Sequence, residues 1–329
     1  MKTIIQRHTF YRKKNQGVKA ITLFISIAIF SVSLFAQDNN GGRRGSKKEK
    51  NGKGFHAGLF VGTYFANKQT AGLYDGYGYD LDGNKNTTFA NSWMYEKIIN
   101  EYGGGNGQPD RIAPLLGVNH GDWTFDQTDM PTNLKYNIAF IVGFNARYCF
   151  NNRDAIMLNV NGSKLTVQGD FTITITNPPI GYATPGYVDY KTFGINGTEQ
   201  RLVFMAGYQR VLGDTDQLMN FVIEGGPIVT MTKFTTNQIL IDAQSPGYGP
   251  SLQIDLMNQY SNIGYLSYKA RNLTKVGYGG FLGLGINLRA SARWTLQLIY
   301  DPSYELINLG NDQPFTLQHS LGLRAYYNL

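Results

Sequence analysis

Between Leu134 and Phe150 the sequence LKYNIAFIVGFNARYCF sorts its residues by parity. Leu134, Tyr136, Ile138, Phe140, Val142, Phe144, Ala146, Tyr148 and Phe150 share one face, while Lys135, Asn137, Asn145, Arg147 and Cys149 fall on the other. That two-residue period belongs to a β-strand, whose successive side chains point to opposite faces. One such strand does not name its solvent, because a soluble sandwich can bury the same apolar face.

The pattern recurs in eight segments, near 55–66, 134–150, 155–176, 201–211, 221–234, 274–289, 293–301 and 315–329. Pro227 interrupts the fifth, and a proline that cannot donate to a ladder predicts a bulge there. The connections alternate: NNRD, GDTDQ and AS are short, whereas 67–133, 177–199 and 235–274 are long and 305–314 is moderate. An even number of strands with all short turns at one end is the layout of an outer-membrane barrel with short periplasmic turns and longer extracellular loops.

Ring positions support lipid as the solvent of the apolar face. Phe55, Tyr148, Phe150, Tyr208, Phe221, Trp294 and Tyr327 fall near the short-turn ends; Phe65, Tyr136, Phe171, Phe234, Tyr278, Tyr300 and Phe315 fall near the long-loop ends. They read as two aromatic girdles. The residues from Tyr136 to Tyr148, at about 3.3 Å each and a tilt of about 40°, span roughly 30 Å, the thickness of a hydrocarbon core. The expected fold is all-β, an eight-stranded antiparallel transmembrane barrel in the bacterial outer membrane.

The first residues agree. A basic stretch, MKTIIQRHTFYRKKNQGVK, is followed by the apolar AITLFISIAIFSVSLFA and then polar QDNN, the layout of a secretory signal peptide over 1–36. Its six basic and no acidic residues carry most of the formal charge, which falls from +7 to +1 without them. No basic stripe remains that would mark a nucleic-acid partner. Residues 37–54, with Arg43, Arg44, Lys47, Lys48, Lys50 and Lys53, read as a flexible periplasmic tether, leaving 55–329 for the barrel. A single cysteine, Cys149, excludes an internal disulfide framework, and the few histidines lack metal-site spacing, so neither a metal nor another cofactor is expected.

Taken with eight alternating strands, a signal peptide ending FAQ and a last strand ending LGLRAYYNL, the chain resembles small outer-membrane barrels of the OmpA/OmpX kind. Its Gly, Tyr and Asn usage is most similar to versions from Bacteroidota, including the PorT-like and PorG-like barrels of type IX secretion and gliding. The resemblance implies a membrane-embedded assembly component with outer-membrane lipid and other outer-membrane or periplasmic proteins as partners.

The polar parity supplies the candidate site residues. Lys135, Asn145, Arg147, Glu224, Asn287, Arg289, Arg293, Asp301 and Arg324 are expected to form a charge network inside the barrel. A lumen of eight strands is just wide enough to be filled by its own side chains, so packing is favoured over an anionic ligand. His319 and Ser320 could be read as a lipid-hydrolase pair, but adjacent strand residues face opposite ways, so no catalytic residues are expected. YDGYGYDLDGNKN over 74–86 offers Asp75, Asp80 and Asp82 to a cation or sugar, against a solvated loop as the plainer reading; 91–105 reads as a short helix that caps the mouth or meets a partner. The function expected is a non-enzymatic partner, with adhesion or ligand binding through the long first loop as the alternative and lipid hydrolysis as a minor one.

Overall fold

The computed structural model describes residues 53–80, 84–177, 188–214, 217–243, 250–257, 274–291, 293–308 and 313–329. The signal-peptide segment and nearly all of the tether lie outside them. Among the described residues eleven strands form: β1 (Gly54–Phe65), β2 (Trp123–Thr124), β3 (Lys135–Tyr136), β4 (Ala139–Cys149), β5 (Asp154–Ile175), β6 (Asp189–Leu212), β7 (Met219–Ile241), β8 (Leu252–Asp255), β9 (Thr274–Arg289), β10 (Trp294–Leu306) and β11 (Phe315–Asn328). Eight of them, in the order β1, β4, β5, β6, β7, β9, β10 and β11, pair antiparallel into a ring that closes when β11 meets β1. Closure leaves no edge among these eight, which a sheet facing lipid requires. Among the described residues no helix is long and apolar enough to cross a membrane.

The short turns sit at one end. In the turn between β4 and β5, the Asn151 side-chain oxygen accepts the backbone N–H groups of Arg153 and Asp154 at 2.7 and 2.8 Å, and Phe150 N–H donates to the Asp154 carbonyl at 2.9 Å. An asparagine that closes a turn on its own backbone makes four residues enough for the reversal.

Strand length is where the sequence reading falls short. β6 begins at Asp189 and β7 runs to Ile241, so 189–199 and 235–241, expected to be loop, are strand. The parity of these upper parts is inverted. On β5 the inner face changes from Asn159, Asn161 and Ser163 to Leu165, Val167, Phe171, Ile173 and Ile175, all buried. Its outer face changes over the same stretch from Ile156 and Leu158 to exposed Lys164, Gln168 and Asp170. Below the change the strand is oily outside and polar inside; above it, the reverse.

The upper parts of β5, β6 and β7, with β8 on β7 and β2 and β3 on β5, form a wall that rises past the ring. The first loop folds against its inner face: Leu73, Tyr74, Trp93, Met94, Ile98, Ile112, Leu116, Trp123 and Phe125 pack with Phe171, Ile173, Phe193, Ile195, Phe234 and Ile239 in one apolar core. Burial of that many large side chains, at about 1.5–3 kcal/mol each, is what orders a loop of this length. The solvated-loop reading of 74–86 is therefore corrected. Gly76 and Gly78 have φ of 83° and 71°, and a Cβ at either would meet Met94 Sδ at 2.2 Å or the Trp93 ring at 1.9 Å. Those glycines let two large side chains lie against bare backbone.

The helix read over 91–105 is present in part. Ser92 Oγ accepts Tyr95 N–H at 3.0 Å and starts a turn over Trp93–Tyr95, which continues as a π-helix over Glu96–Glu101. Met94 and Ile98 are buried in the core and Tyr102 packs against it.

Two register irregularities move side chains across the sheet. β3 pairs Tyr136 with Val167, whereas β4 pairs Ile141 with Ser163, one residue out of step. The extra residue between them turns Tyr136 inward and Lys135 outward, opposite to the parity of an unbroken strand. On β7 the partners change from Phe234–Glu199 to Thr236–Thr198, so Thr235 is the extra residue. Pro227 produces no shift: Ile228–Met205 and Gly225–Tyr208 are in the same register, so the bulge expected there is absent.

Candidate functional site

Among the described residues two clusters of buried arginine and carboxylate stand out in the lumen. The first joins strands only. Arg324 Nη1 donates to both Glu224 carboxylate oxygens at 2.8 Å and to Gln297 Oε1 at 3.1 Å, and Nη2 donates to Asp301 Oδ2 at 2.6 Å. Gln209 Nε2 donates to Glu224 Oε2 at 2.7 Å while its Oε1 accepts Arg147 Nη1 at 3.0 Å, so the chain crosses the lumen from β11 to β4. The Arg147 guanidinium lies 4.1 Å from the centre of the Tyr326 ring. Two arginines and two carboxylates bring the cluster to neutrality, the condition for burying charge at tolerable cost.

The second cluster ties the first loop to the ring. Arg201 binds Glu199 at 2.6 Å, donates through Nη1 to Tyr64 Oη at 3.0 Å and Gln318 Oε1 at 3.3 Å, and through Nη2 to Thr70 Oγ1 and Tyr136 Oη at 3.3 Å each. Tyr74 and Tyr136 in turn donate to Glu199 Oε2 at 2.8 and 3.2 Å. Burial first, and then the Glu199 carboxylate beside it, push the Tyr74 phenol well above its ordinary range, so it stays a neutral donor. Tyr74 also stacks on Phe234 at 4.6 Å. Thr70, Tyr74 and Tyr136 come from the loop and its return; Tyr64, Glu199, Arg201 and Gln318 come from the ring. This clasp was missed because its members lie in five separate segments and Tyr136 changes face at the irregularity.

Of the residues expected inside, Arg147, Glu224, Asp301 and Arg324 meet in the first cluster. Asn145 and Asn287 are buried on the inner face, but neither Asn145 amide atom nor Asn287 Oδ1 has a protein partner. Lys135, Arg289 and Arg293 are exposed and stand outside it. Lys135 is turned out by the irregularity, and the two arginines lie where the chain leaves the ring at the β9–β10 turn; Arg293 Nη1 donates to Tyr327 Oη at 3.2 Å.

The outer rings are arranged as belts. Near the short turns Tyr148 meets Phe150 edge-on at 5.6 Å and Trp294 meets Tyr327 at 5.1 Å, with Tyr208 and Phe221 exposed beside them. Near the long loops Tyr278 and Tyr304 each lie 5.6 Å from Phe315, and Tyr300 is exposed. Tyr136, Phe171 and Phe234 are not in the upper belt: all three face inward, Phe171 and Phe234 in the head core. Between the belts Leu59, Val142, Leu158, Phe204, Leu284, Leu298 and Leu323 are exposed on every side of the ring. An apolar band this continuous on a closed sheet has only lipid to face. The chain is an integral outer-membrane β-barrel.

No family model matches this barrel, and no curated protein does. Similar solved structures are Ail, the attachment invasion locus protein of Yersinia pestis, with the heparin analogue sucrose octasulfate (TM-score 0.27, 11% identity, 84% of this chain and 97% of that one). Others are the translocator domain of autotransporter NalP from Neisseria meningitidis (0.18, 10%, 95% and 98%) and the toluene transporter TbuX of Ralstonia pickettii (0.20, 10%, 84% and 90%). Likeness at this level transfers neither residues nor activity.

The other candidates are not assembled into sites. His319 faces outward, stacked on Tyr300 with Nδ1 2.7 Å from its hydroxyl, while Ser320 is buried on the opposite face. Asp75 pairs with Lys85 at 2.5 Å and Asp80 accepts Asn84 N–H at 2.8 Å; Asp82 lies outside the described residues. Among the described residues no three His, Cys, Asp or Glu side chains converge as metal ligands.

Proposed function

We propose that the barrel is a non-enzymatic, non-conducting membrane component that holds its extracellular head as a docking structure for other outer-membrane or secreted proteins. The observation that carries this reading is the Arg201 clasp: it fastens the first loop across the lumen, above a second level already filled by Arg324, Glu224 and Asp301. Side-chain bonds across the lumen at two levels support a barrel that does not conduct, and the long folded head is then the part left to meet partners. The resemblance to PorT-like and PorG-like barrels gives type IX secretion or gliding as the setting to examine first. Protein reconstituted in planar bilayers should give no steady ohmic conductance, and photo-cross-linkers on the outer face of the head, at Gln168 or Asn196, should capture a discrete partner. A stable open channel would refute the docking reading, and normal export and motility after gene deletion would remove the secretion setting.

A second reading, adhesion or ligand binding, is favoured by one surface. Gln168, Asn196 and Gln238 are consecutive partners on the outer face of the wall, Gln253 Nε2 donates to Gln238 Oε1 at 2.7 Å, and Tyr190 stands exposed above them. Flat amide and aromatic surfaces suit polar ligands. Alanine at Gln168, Asn196 and Tyr190 should abolish cell or glycan binding if this surface is used, with assembly unchanged.

A further inference from the structure

Among the described residues the outer face holds three lysines that neither cluster nor the head core uses. Lys164 on β5, Gln200 on β6 and Lys233 on β7 are consecutive cross-strand partners, and Lys135 on β3 is the partner of Gln168, one strand further round and four residues higher than Lys164. All three lysines are exposed, and among the described residues none forms an ion pair. The nearest outward carboxylates in sequence and register are Asp170, which accepts from the Asn133 amide at 3.0 Å, and Asp255, the partner of Gln238.

Their height is informative. Lys164 is ten residues above the start of β5 at Asp154, and Lys233 and Gln168 are each fourteen above the starts of β7 and β5. At about 3.3 Å per residue and a tilt of about 40°, these positions lie roughly 25 and 35 Å above the short turns. That is the upper edge of the hydrocarbon and the headgroup layer over it. Directly beneath, Val142, Gly162, Leu202, Met231 and Val276 form the next outward row, and Phe144, Val160, Phe204, Val229 and Tyr278 the one below. A Cβ on Gly162 would meet nothing within 4 Å, so the row is open to a chain lying along it.

We propose that Lys135, Lys164 and Lys233 bind the phosphate groups of an outer-leaflet glycolipid whose acyl chains lie on the apolar face of β4 to β7. The surface is continuous with the lipid-facing band, its charge is opposite to that of phosphate, and a lysine stem can run along the apolar rows while its ammonium reaches the headgroups. No enzymatic step is involved; the lipid fixes the orientation of the head over this side of the ring.

Barrel extracted in neutral detergent can be titrated with diphosphoryl lipid A, with the same lipid lacking phosphates, and with inorganic phosphate, and the retained lipid read by native mass spectrometry. Each lysine near a phosphate surface contributes about fivefold. Wild type should therefore prefer the diphosphoryl lipid by at least about tenfold, and Lys135→Gln/Lys164→Gln/Lys233→Gln should erase the preference. Arg153→Gln, at the short-turn end, should keep it. Equal affinity of wild type for both lipids, or an unchanged triple variant, overturns the proposal; inorganic phosphate binding as tightly as the lipid assigns the lysines to a free anion instead. Should the triple variant fold poorly, acetylation of the wild type in outer-membrane vesicles supplies the same answer. The three ammonium groups should be protected there and become reactive once the lipid is exchanged for a phosphate-free one, and reactivity that never changes refutes the assignment.

Discussion

Arg324 and Arg201 are both fully buried in one lumen and both bound to carboxylates, and they differ in what else they hold. Arg324 reaches only strand residues, so its bonds are made when the ring closes. Arg201 reaches Thr70 of the first loop and Tyr136 on its return strand β3 as well, so its bonds are complete only after the loop has returned. The same chemistry thus serves two regions, a ring in lipid and a head above it. Local stabilities need not match along a structure, even where β5, β6 and β7 run through both regions.

The largest effect that should separate them is Arg324→Leu, which removes the guanidinium that contacts both Glu224 and Asp301 and leaves only Arg147, one glutamine away, to offset two buried carboxylates. Loss of one partner from such a group costs about 3–5 kcal/mol. Urea titration of folding in detergent, followed by the heat-modifiable band, should show the ring itself losing stability. A ring unchanged by this substitution would mean that the first cluster is ornamental and that the comparison fails.

Moving a charge by a single residue tests the orientation of the same strand. Leu323 points to lipid midway along β11, so Leu323→Arg should cost about 2–4 kcal/mol, measured in the same titration in lipid bilayers and lessened in detergent. If arginine is tolerated at 323 and leucine at 324, inside and outside have been exchanged.

Tyr74→Phe removes one donor from Glu199 and leaves the stacking on Phe234. A hydrogen bond to a charged group contributes about 1.5–3 kcal/mol, and here the loss should fall on the head alone. Limited proteolysis should cut within 67–133 sooner, with the midpoint of ring unfolding unmoved.

The smallest effect is that of acid. Hydrogen bonds from the Thr128 side chain and backbone hold the Asp126 carboxyl below its ordinary range, and those from Asn177 and Asn119 do the same for Asp122. A carboxyl depressed by folding contributes stability that is complete above its unfolded value, about 4, and is lost as pH falls through the lower folded value. Amide exchange over 119–129, corrected for intrinsic rate, should rise below about pH 4 while the strands of the ring stay protected.

The ring was legible because its evidence is local: parity along each strand and turns such as NNRD need no knowledge of a partner. The inner positions Arg147, Glu224, Asp301 and Arg324 follow from parity alone, although nothing in sequence says which of them touch. The head was not legible for the opposite reason. Residues 189–199 are rich in Gly, Thr and Asn and look like a loop, and only the first loop's Trp93, Met94 and Ile98, far away in sequence, give Phe193 and Ile195 something to bury against. Tyr136 shows a further limit, since one inserted residue reverses the assignment of everything on its far side and leaves no mark in composition.

The reversal of parity along β5 also restricts movement along the membrane normal. A uniform amphipathic strand could slide by two residues and still match oil with oil, whereas a strand whose outer face changes from Leu158 to Lys164 can match at one height only. Sinking draws lysine into hydrocarbon; rising lifts leucine into water. The ring is moored at a fixed draught, like a hull with its waterline painted on, and the head is thereby held at a set altitude above the lipid for whatever meets it.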